Sequence, residues 1–397
     1  MKIKKLYNTN DLITKVNESK FNVNHLLKNK GYQNKPLSFD EAYLLGAFTM
    51  APYVSELQDI FDLPKEIIKI QSVVALSTFH NRFIYQNEQS AEQIAGICAA
   101  IFDYDIGTSQ EGYLNPDVDI VLDNCGMGGD LYRTPNLSTL SALIAAADGV
   151  NFLKHGSPGN TDSVGSSDFL SYCGVNLFPS KELVEKSLEN LHFGYTDALD
   201  EKYKRIHTQT HHFAKLAHMN DIIGPITNPV NPILMKKRIV GINHLIPPER
   251  IAQAYRILNQ KSITNLQHGL FVRGFADTTR NGGIDEVSIM PGGTYVAELK
   301  NGEIKSYSLY SHDFGLSDIS VESLHPGVNK AKTSKEILEG IIVDERKDAV
   351  LANAGLIFHL TQGLNLKDST EKARSILESK IPFYLLQEYV GFTNGKK

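Results

Sequence analysis

The chain has 397 residues, 42% of them hydrophobic, and a formal net charge of -5. This length allows one large domain or two ordinary ones, and the near-neutral charge gives no field that would draw the chain to nucleic acid or to a membrane surface. No stretch reaches the roughly 18 apolar residues of a membrane span, and three scattered cysteines without CxxC spacing fit a reducing cytoplasm, where we expect the protein.

The first hundred residues predict helices. Ser38 and Glu41 have capping-box spacing, as do Ser90 and Gln93, and each pair precedes an apolar run. Small residues dominate the run after Ser90, so this helix should pack closely against a neighbour. Residues 107–116 are rich in Gly, Ser, Asn and Pro and read as a linker. The pattern predicts a small N-terminal helical domain over residues 1–113.

After residue 113 the sequence pattern changes, and predicted strands alternate with predicted helices. The predicted strands cover residues 118–122, 150–153, 238–241 and 270–272, and the predicted helices cover 138–147, 248–258 and 348–360. Strand, helix, strand at this spacing is a βαβ unit and implies a parallel sheet. Asn301-Gly302 predicts a hairpin that adds an antiparallel piece. Residues 114–397 are therefore predicted to form a larger α/β domain with a central, mainly parallel sheet.

A glycine-rich loop follows the first predicted strand. Gly126, Gly128 and Gly129 permit close approach of a ligand and positive φ angles. Ser138 and Thr139 stand at the start of the next helix, where free N–H groups favour phosphate. The alternative is an ordinary tight turn with a helix cap. The spacing fits neither a Walker loop nor a dinucleotide-binding loop.

Two further elements carry charge. Lys154 follows the second predicted strand, and ligands of parallel sheets bind outside the carboxyl ends of strands. Asp285 and Glu286 follow a pair of glycines and suit a magnesium ion that bridges to phosphates. Each has a plainer alternative, a surface lysine and a solvated acidic loop. Residues 223–229 predict an Ile-Gly-Pro-Ile-Thr-Asn-Pro turn, where the backbone shape matters more than side-chain chemistry.

A histidine-rich stretch lies further on. His207 and His211 have the i, i+4 spacing of a helical metal pair, but no acidic or cysteine ligand completes a set nearby. Contact with a substrate and an ordinary helix surface are the alternatives that fit better.

Taken together, these motifs resemble the anthranilate phosphoribosyltransferase family. That family shows a Gly-Thr-Gly-Gly-Asp loop, an Asn-x-Ser-Thr helix start, a Lys-His-Gly, a Gly-Pro-x-x-Asn-Pro turn and a late Asp-Glu, which occur here in the same order. The resemblance extends from residues 37–42, similar to the family's opening helix, to Asn353-Ala354-Gly355 in the late helix.

The resemblance implies a helical domain beside an α/β domain, with hinge helices near residues 198–220 packing on the helical domain and the active site in the cleft. It implies transfer of phosphoribosyl from phosphoribosyl pyrophosphate (PRPP) to a small aromatic acceptor, anthranilate or an analogue, by a homodimer that uses Mg²⁺. By the same resemblance, Lys154, Asp285 and Glu286 are catalytic, and Ser138, Asp285 and Glu286 are linked to magnesium. The residues implied to bind PRPP are Gly126, Gly128, Gly129, Asp130, Asn136, Ser138, Thr139 and Lys154.

The acceptor half departs from the family. Met127 stands where the family has Thr, and Ser157 and Pro158 replace Asn-Arg after Lys-His-Gly. Counting back from Gly224 places His211 at the family's acceptor-binding Arg; a shifted helix would bring Lys204 or Arg205 there instead. The acceptor positions are then His155, Ser157 and His211. The chain also looks longer than the family around residues 274–282.

Two other functions share this architecture. A nucleic-acid-binding member without catalysis should carry a basic groove, and the acidic net charge and the intact Asp285-Glu286 pair argue against nucleic acid as a partner. A nucleoside phosphorylase fits the loop and helix-start spacing less well.

Overall fold

The computed structural model describes residues 5–159, 164–207 and 218–395. The described residues group into two compact units. The first contains the chain up to Tyr113 together with Ala198–Ile233 and Leu245–Asn265. The second contains Leu114–Asp197, Leu234–His244 and the chain from Leu266 onward. Residues 245–265, which the sequence placed in the α/β domain, thus group with the first unit.

The first unit is helical throughout its described part. Its helices are α1 (Thr9–Ser19), α2 (Val23–Asn29), α3 (Phe39–Met50), α4 (Ser55–Phe61), α5 (Lys65–Thr78), α6 (Arg82–Gln86), α7 (Ser90–Ala100), α11 (Asn220–Ile226) and α12 (Pro248–Gln260). Pro248 stands at the first position of α12, where its fixed φ angle suits a helix start and its missing N–H costs nothing.

Helices α3 and α7 pack closely, as the small residues predicted. A Cβ on Gly96 would lie 2.3 Å from the carbonyl oxygen of Phe39, so only glycine permits this approach. The capping box of Ser38 is confirmed. The predicted box at Ser90 is wrong, because α7 already begins at Ser90 and the Ser90 hydroxyl donates backward to Asn87 O. The Gln93 side chain accepts from Leu37 N–H and donates to Phe79 O instead of capping its own helix.

Two buried aspartates follow α7 in a π-helical turn, Ile101–Ile106. Asp105 accepts from the backbone N–H groups of Arg205 and Ile206 at 2.8 and 3.0 Å, and from Arg205 Nε at 3.2 Å. Asp103 accepts from Tyr43 Oη at 2.6 Å and from Leu6 N–H at 2.9 Å. Burial raises the Asp103 pKa to about 6, although both hydrogen bonds oppose the shift.

The second unit combines helices with two sheets. Its helices are α8 (Leu137–Ala146), α9 (Ser166–Tyr172), α10 (Lys181–Leu191), α13 (Val321–Leu324), α14 (Lys330–Leu338), α15 (Glu345–Gln362), α16 (Leu366–Glu378) and α17 (Ile381–Thr393). Its strands are β1 (Phe152–Gly156), β2 (Phe193–Asp197), β3 (Lys237–Gly241), β4 (His268–Phe275), β5 (Gly283–Ile284), β6 (Thr294–Lys300) and β7 (Glu303–Leu309). The α/β fold class is confirmed.

Parallel pairing dominates where the ligand motifs lie. Strand β1 pairs parallel with β2, and β3 pairs parallel with β4. Beyond β4 the pairing turns antiparallel through β6 and β7, with β5 also on β4. Asn301 and Gly302 both adopt positive φ at the β6–β7 turn, which confirms the predicted hairpin. The predicted late helix is α15, whose buried residues Ala349–Phe358 join the core of this unit.

The strand predicted over residues 118–122 is wrong. Among described residues, only Leu122 of that range pairs, through a single parallel bridge to Phe152. The chain instead makes its sheet-like contacts a few residues later. Ile239 N–H donates to Asp123 O, Gly241 N–H donates to Cys125 O, and Gly126 bridges Gly241. This segment thus runs between β1 and β3, and it delivers the glycine loop beside the end of β3.

No helix in the described part of the chain is long and apolar enough to cross a membrane.

The raised pKa of Asp103 makes stability depend on pH. An unfolded aspartate loses its proton near pH 4, whereas Asp103 in the folded chain holds it to about pH 6. Stability should therefore fall as pH rises from 4 to 7. Asp103→Asn removes the titrating group. The free energy of unfolding of the variant, relative to that of wild type, should therefore rise by about 2–3 kcal/mol over that range. Urea unfolding followed by circular dichroism at several pH values measures the difference; a difference independent of pH contradicts the assignment.

Candidate active site

The glycine loop, residues 123–130, lies against the end of β3. Met127 N–H donates to Gly241 O at 3.0 Å. Gly128 and Gly129 take φ angles of 71° and 83°, a region that other residues rarely adopt. A Cβ on Gly126 would lie 2.1 Å from Asp285 Oδ2, so a bare Cα is required where the loop meets this carboxylate.

The loop and the Asp285-Glu286 pair are joined by reciprocal hydrogen bonds. Gly128 N–H donates to Asp285 Oδ2 at 2.6 Å, and Asp285 N–H donates to Asp130 Oδ1 at 2.7 Å. Ser138 N–H, in the first turn of α8, donates to Glu286 Oε1 at 2.9 Å. The structure thus brings together the predicted loop, helix start and carboxylates, although Ser138 and Glu286 are 148 residues apart in sequence.

Three carboxyl groups crowd this point. Asp130 is exposed as a residue, but its carboxyl group lies against Asp285. Loss of water around that group, and after it the negative charge of Asp285, raise the Asp130 pKa well above its usual range. Burial, followed by the charge of Asp285, raises the Glu286 pKa to about 7, with Lys330 opposing the shift. These two carboxyl groups therefore hold their protons more readily than isolated ones, because they share a crowded and desolvated site.

Two asparagines hold the carboxylate segment and the helix start. The Asn353 side chain accepts from Val287 N–H at 3.1 Å and donates to Val287 O at 3.2 Å, which fixes the peptide after Glu286 to helix α15. The Asn124 amide donates to Ser138 O at 2.9 Å. Glu286 Oε2 and Asn124 Oδ1 are buried oxygens with no hydrogen-bond partner. Oxygen acceptors of this kind are the ligands that Mg²⁺ prefers, so the donor set fits that ion.

Asn136 and Thr139 make contacts of a different kind. The Asn136 amide donates to the carbonyls of Val164 and Gly165, at 3.3 and 3.1 Å, and its Oδ1 accepts from Ser334 Oγ. Thr139 Oγ1 donates to Ser166 Oγ at 3.1 Å. Both side chains therefore tie the start of α8 to the segment that enters α9, and in this structure they are bonded within the protein.

Lys154 lies in β1 and is 1% exposed. Its Nζ donates to His155 O at 3.3 Å, and within the described ranges no carboxylate lies at ion-pair distance from it. A buried ammonium group is costly without a negative partner. His155 is also buried, and its Nδ1 lies 3.0 Å from Thr196 Oγ1 in β2. Ser157, just after β1, is half-buried.

Of the residues predicted to bind the acceptor's carboxylate, His211 is not described, and the two alternatives are already bonded within the protein. His211 lies outside the described residues, so its position stays a prediction. Arg205 is committed to Asp105 and, through Nη2, to the Tyr104 and Asp105 carbonyls. Lys204 is buried and donates to Gly224 O, Thr227 O and Thr227 Oγ1 at 3.0–3.3 Å.

Sequence reasoning missed several residues of this region. Asn124 lies within the glycine loop but was not singled out as a binding residue, and Gly241 was predicted only as part of a strand, although both line the site. A buried polar cluster also lies at the end of β2, where Ser167 Oγ is 2.6 Å from Tyr195 Oη and donates to Asp197 Oδ2 at 2.5 Å. No spacing signal marks these contacts, since they form where the start of α9 meets β2.

The sequence is similar to known glycosyl transferases. Residues 118–380 match the model of the "Glycosyl transferase family, a/b domain". A Nitrosospira multiformis protein named anthranilate phosphoribosyltransferase is 30% identical over 287 residues, covering 70% of this chain and 76% of the relative. One of the same name from Glaesserella parasuis is 30% identical over 343 residues, covering 82% and 91%.

Solved structures agree. The anthranilate phosphoribosyltransferase of Thermus thermophilus superposes with a TM-score of 0.70 at 27% identity, covering 92% of this chain and 98% of that one. The Saccharomyces cerevisiae enzyme, solved in complex with PRPP and Mg, gives a TM-score of 0.67 over 99% and 100% of the two chains; at 17% identity it speaks for the fold alone. With its motifs, its fold and these relatives in agreement, the chain belongs to the anthranilate phosphoribosyltransferase family of glycosyl transferases.

Proposed function

We propose that the protein transfers the 5-phosphoribosyl group from PRPP to the amine nitrogen of anthranilate, with Mg²⁺ as cofactor. The observation that carries this proposal is the occupation of two anion-binding amides by carboxylates. Gly128 N–H and Ser138 N–H, in a glycine loop and at a helix start, donate to Asp285 and Glu286. Such amides are the usual donors to phosphate oxygens.

This arrangement accounts for the need for a divalent ion. Without it, a pyrophosphate group meets both competition for the two N–H groups and repulsion from Asp285 and Glu286. With a divalent ion bound to these carboxylates, the two N–H groups would be available to phosphate oxygens, and the ion would supply positive charge at the site. Ser138, Asp285 and Glu286 are the residues that would hold it.

Lys154 fits the leaving group. The acceptor nitrogen attacks C1 of the ribose, the C1–O bond to pyrophosphate breaks, and the amine releases a proton to solvent. Negative charge grows on the leaving pyrophosphate, and a buried ammonium group without a carboxylate partner in the described chain is suited to stabilise it. Asn136 and Thr139 act in this proposal as residues that hold the loop and helix start in place.

Anthranilate as acceptor rests on the names of the relatives. This chain differs from the family in lacking the arginine that binds the acceptor. Lys204 and Arg205 do not replace it, because both are hydrogen-bonded within the protein. A carboxylate on the acceptor would then depend on His155, Ser157 or His211. Neutral histidine binds a carboxylate more weakly than arginine does.

A homodimer, which the family resemblance implies, is supported by an apolar stripe on α5. Ile67, Ile70 and Val74 share one helix face and are 43%, 58% and 44% exposed. We expect light scattering to give about twice the 44.1 kDa chain mass, and Ile70→Lys to shift it toward one chain. Ile341→Lys, at an exposed site in the second unit, is the control. A single-chain mass for wild type at all concentrations contradicts the dimer.

The function is tested by pyrophosphate release. With PRPP, anthranilate and Mg²⁺, we expect turnover on the order of 1 per second or more, and none after chelation of the metal. Lys154→Met should bind PRPP about tenfold or more weakly, because a charge-assisted contact of roughly 1.5–3 kcal/mol is lost.

Lys305→Met is the matched control, since Lys305 is exposed on β7 and should bind PRPP as wild type does. PRPP binding that is equally tight with and without Mg²⁺ contradicts the proposed role of the carboxylates. Mg²⁺-dependent PRPP binding without turnover of anthranilate retains the phosphoribosyl half of the proposal and rejects anthranilate as the acceptor.

A further inference from the structure

A small cavity lies beneath the carboxylate segment, with room for about one water molecule. It is lined by Asn124, Ser138, Ile239, Gly241, Val272, Asp285, Glu286, Val287, Asn353 and Leu356. Two of the lining residues, Asn124 and Glu286, each have a buried side-chain oxygen without a hydrogen-bond partner, Oδ1 and Oε2 respectively. Buried acceptors of this kind call for an occupant that satisfies them.

The orientation of the Asn124 amide is set by its neighbours. Its Nδ2 donates to Ser138 O at 2.9 Å and to Ser141 Oγ at 3.0 Å, so the side chain uses both of its donor hydrogens. The other end, Oδ1, is left without a donor in a residue that is only 8% exposed. The amide group therefore presents an oxygen, and not a nitrogen, as its unused atom.

Asn124 and Glu286 are anchored to the same residue from two sides. Asn124 donates to the Ser138 carbonyl, while the Ser138 N–H donates to Glu286 Oε1. Each therefore keeps one oxygen unused within a cavity that they both line. One of these oxygens belongs to a neutral amide and the other to a carboxylate, a mixture typical of sites for small divalent cations, which prefer oxygen ligands.

We propose that Asn124 Oδ1 is an additional, neutral ligand of a divalent cation, and that this cation subsite forms without PRPP. The inference rests on the proposed function in that the ion is the one used with PRPP. It adds to that function a ligand from the glycine-loop side and an order of binding, in which the metal precedes the phosphoribosyl donor.

Binding of Mn²⁺ alone tests this, with free Mn²⁺ followed by electron paramagnetic resonance in the absence of PRPP. Asn124→Leu keeps the size but removes the oxygen, and should weaken Mn²⁺ binding tenfold or more. Asn124→Asp places a charged oxygen in the same position and should tighten it. Glu303→Gln, which removes an exposed carboxylate on β7 away from the cavity lining, should bind as wild type does.

The Asp variant keeps the test decisive if the Leu variant fails to fold, which thermal melting will show. Mn²⁺ affinity unchanged or lowered in Asn124→Asp overturns the proposal, as does unchanged affinity in folded Asn124→Leu or absence of binding to wild type. Pyrophosphate release by wild type separates the two claims. If wild type turns over but the Asn124 variants do not change Mn²⁺ binding as expected, only the role of Asn124 as a ligand is rejected. If the variants change Mn²⁺ binding as expected but wild type does not turn over, only the proposed reaction is rejected.

Discussion

The reciprocal hydrogen bonds between the glycine loop and Asp285 determine how this site is built. Gly128 N–H reaches the Asp285 carboxylate, and the Asp285 N–H returns to Asp130. This exchange is possible only because Gly126 has no side chain at the point of closest approach. Segments that are 155 residues apart in sequence are thereby held as one unit. The arrangement depends in turn on Gly241, which positions the loop at the end of β3.

The same contacts bring three carboxyl groups close together. Asp130, Asp285 and Glu286 lie together, and burial with mutual repulsion raises the pKa values of Asp130 and Glu286. A divalent cation bound here would relieve this repulsion and would leave the amides of Gly128 and Ser138 available to phosphate. The magnesium dependence that we propose for PRPP binding follows from this crowding, and in that proposal Lys154 provides a fixed positive charge.

Local signals in the sequence predicted much of this. The Ser38 box and the Asn301-Gly302 hairpin each depend on a few neighbouring residues, and both are confirmed. The strand over residues 118–122 was wrong because tertiary hydrogen bonds to β3 and β1, and not local apolar content, decide where that segment pairs. The Ser90 box was wrong because the Gln93 side chain is hydrogen-bonded to the backbone of Leu37 and Phe79 and does not cap its own helix.

The site divides in the same way. Its glycines, Ser138 and the carboxylates form recognisable motifs. No motif marks the roles of Asn124 and Asp197, since the cavity beside Asn124 and the contact of Ser167 with Asp197 exist only in the fold.

The central claim is that the junction of the glycine loop with Asp285 forms the PRPP site. The affinity of the Gly126→Ala variant for PRPP in excess Mg²⁺ tests it most directly. A methyl group there must displace the Asp285 carboxylate, which the added Cβ would otherwise approach to 2.1 Å. Calorimetry on the variant, shown by circular dichroism to be folded, should show binding weakened about tenfold or more, the loss of at least one charge-assisted contact. Gly391→Ala, in helix α17 where a Cβ meets nothing within 4 Å, should bind as wild type does. Wild-type affinity in Gly126→Ala would contradict the claim that this junction forms the PRPP site.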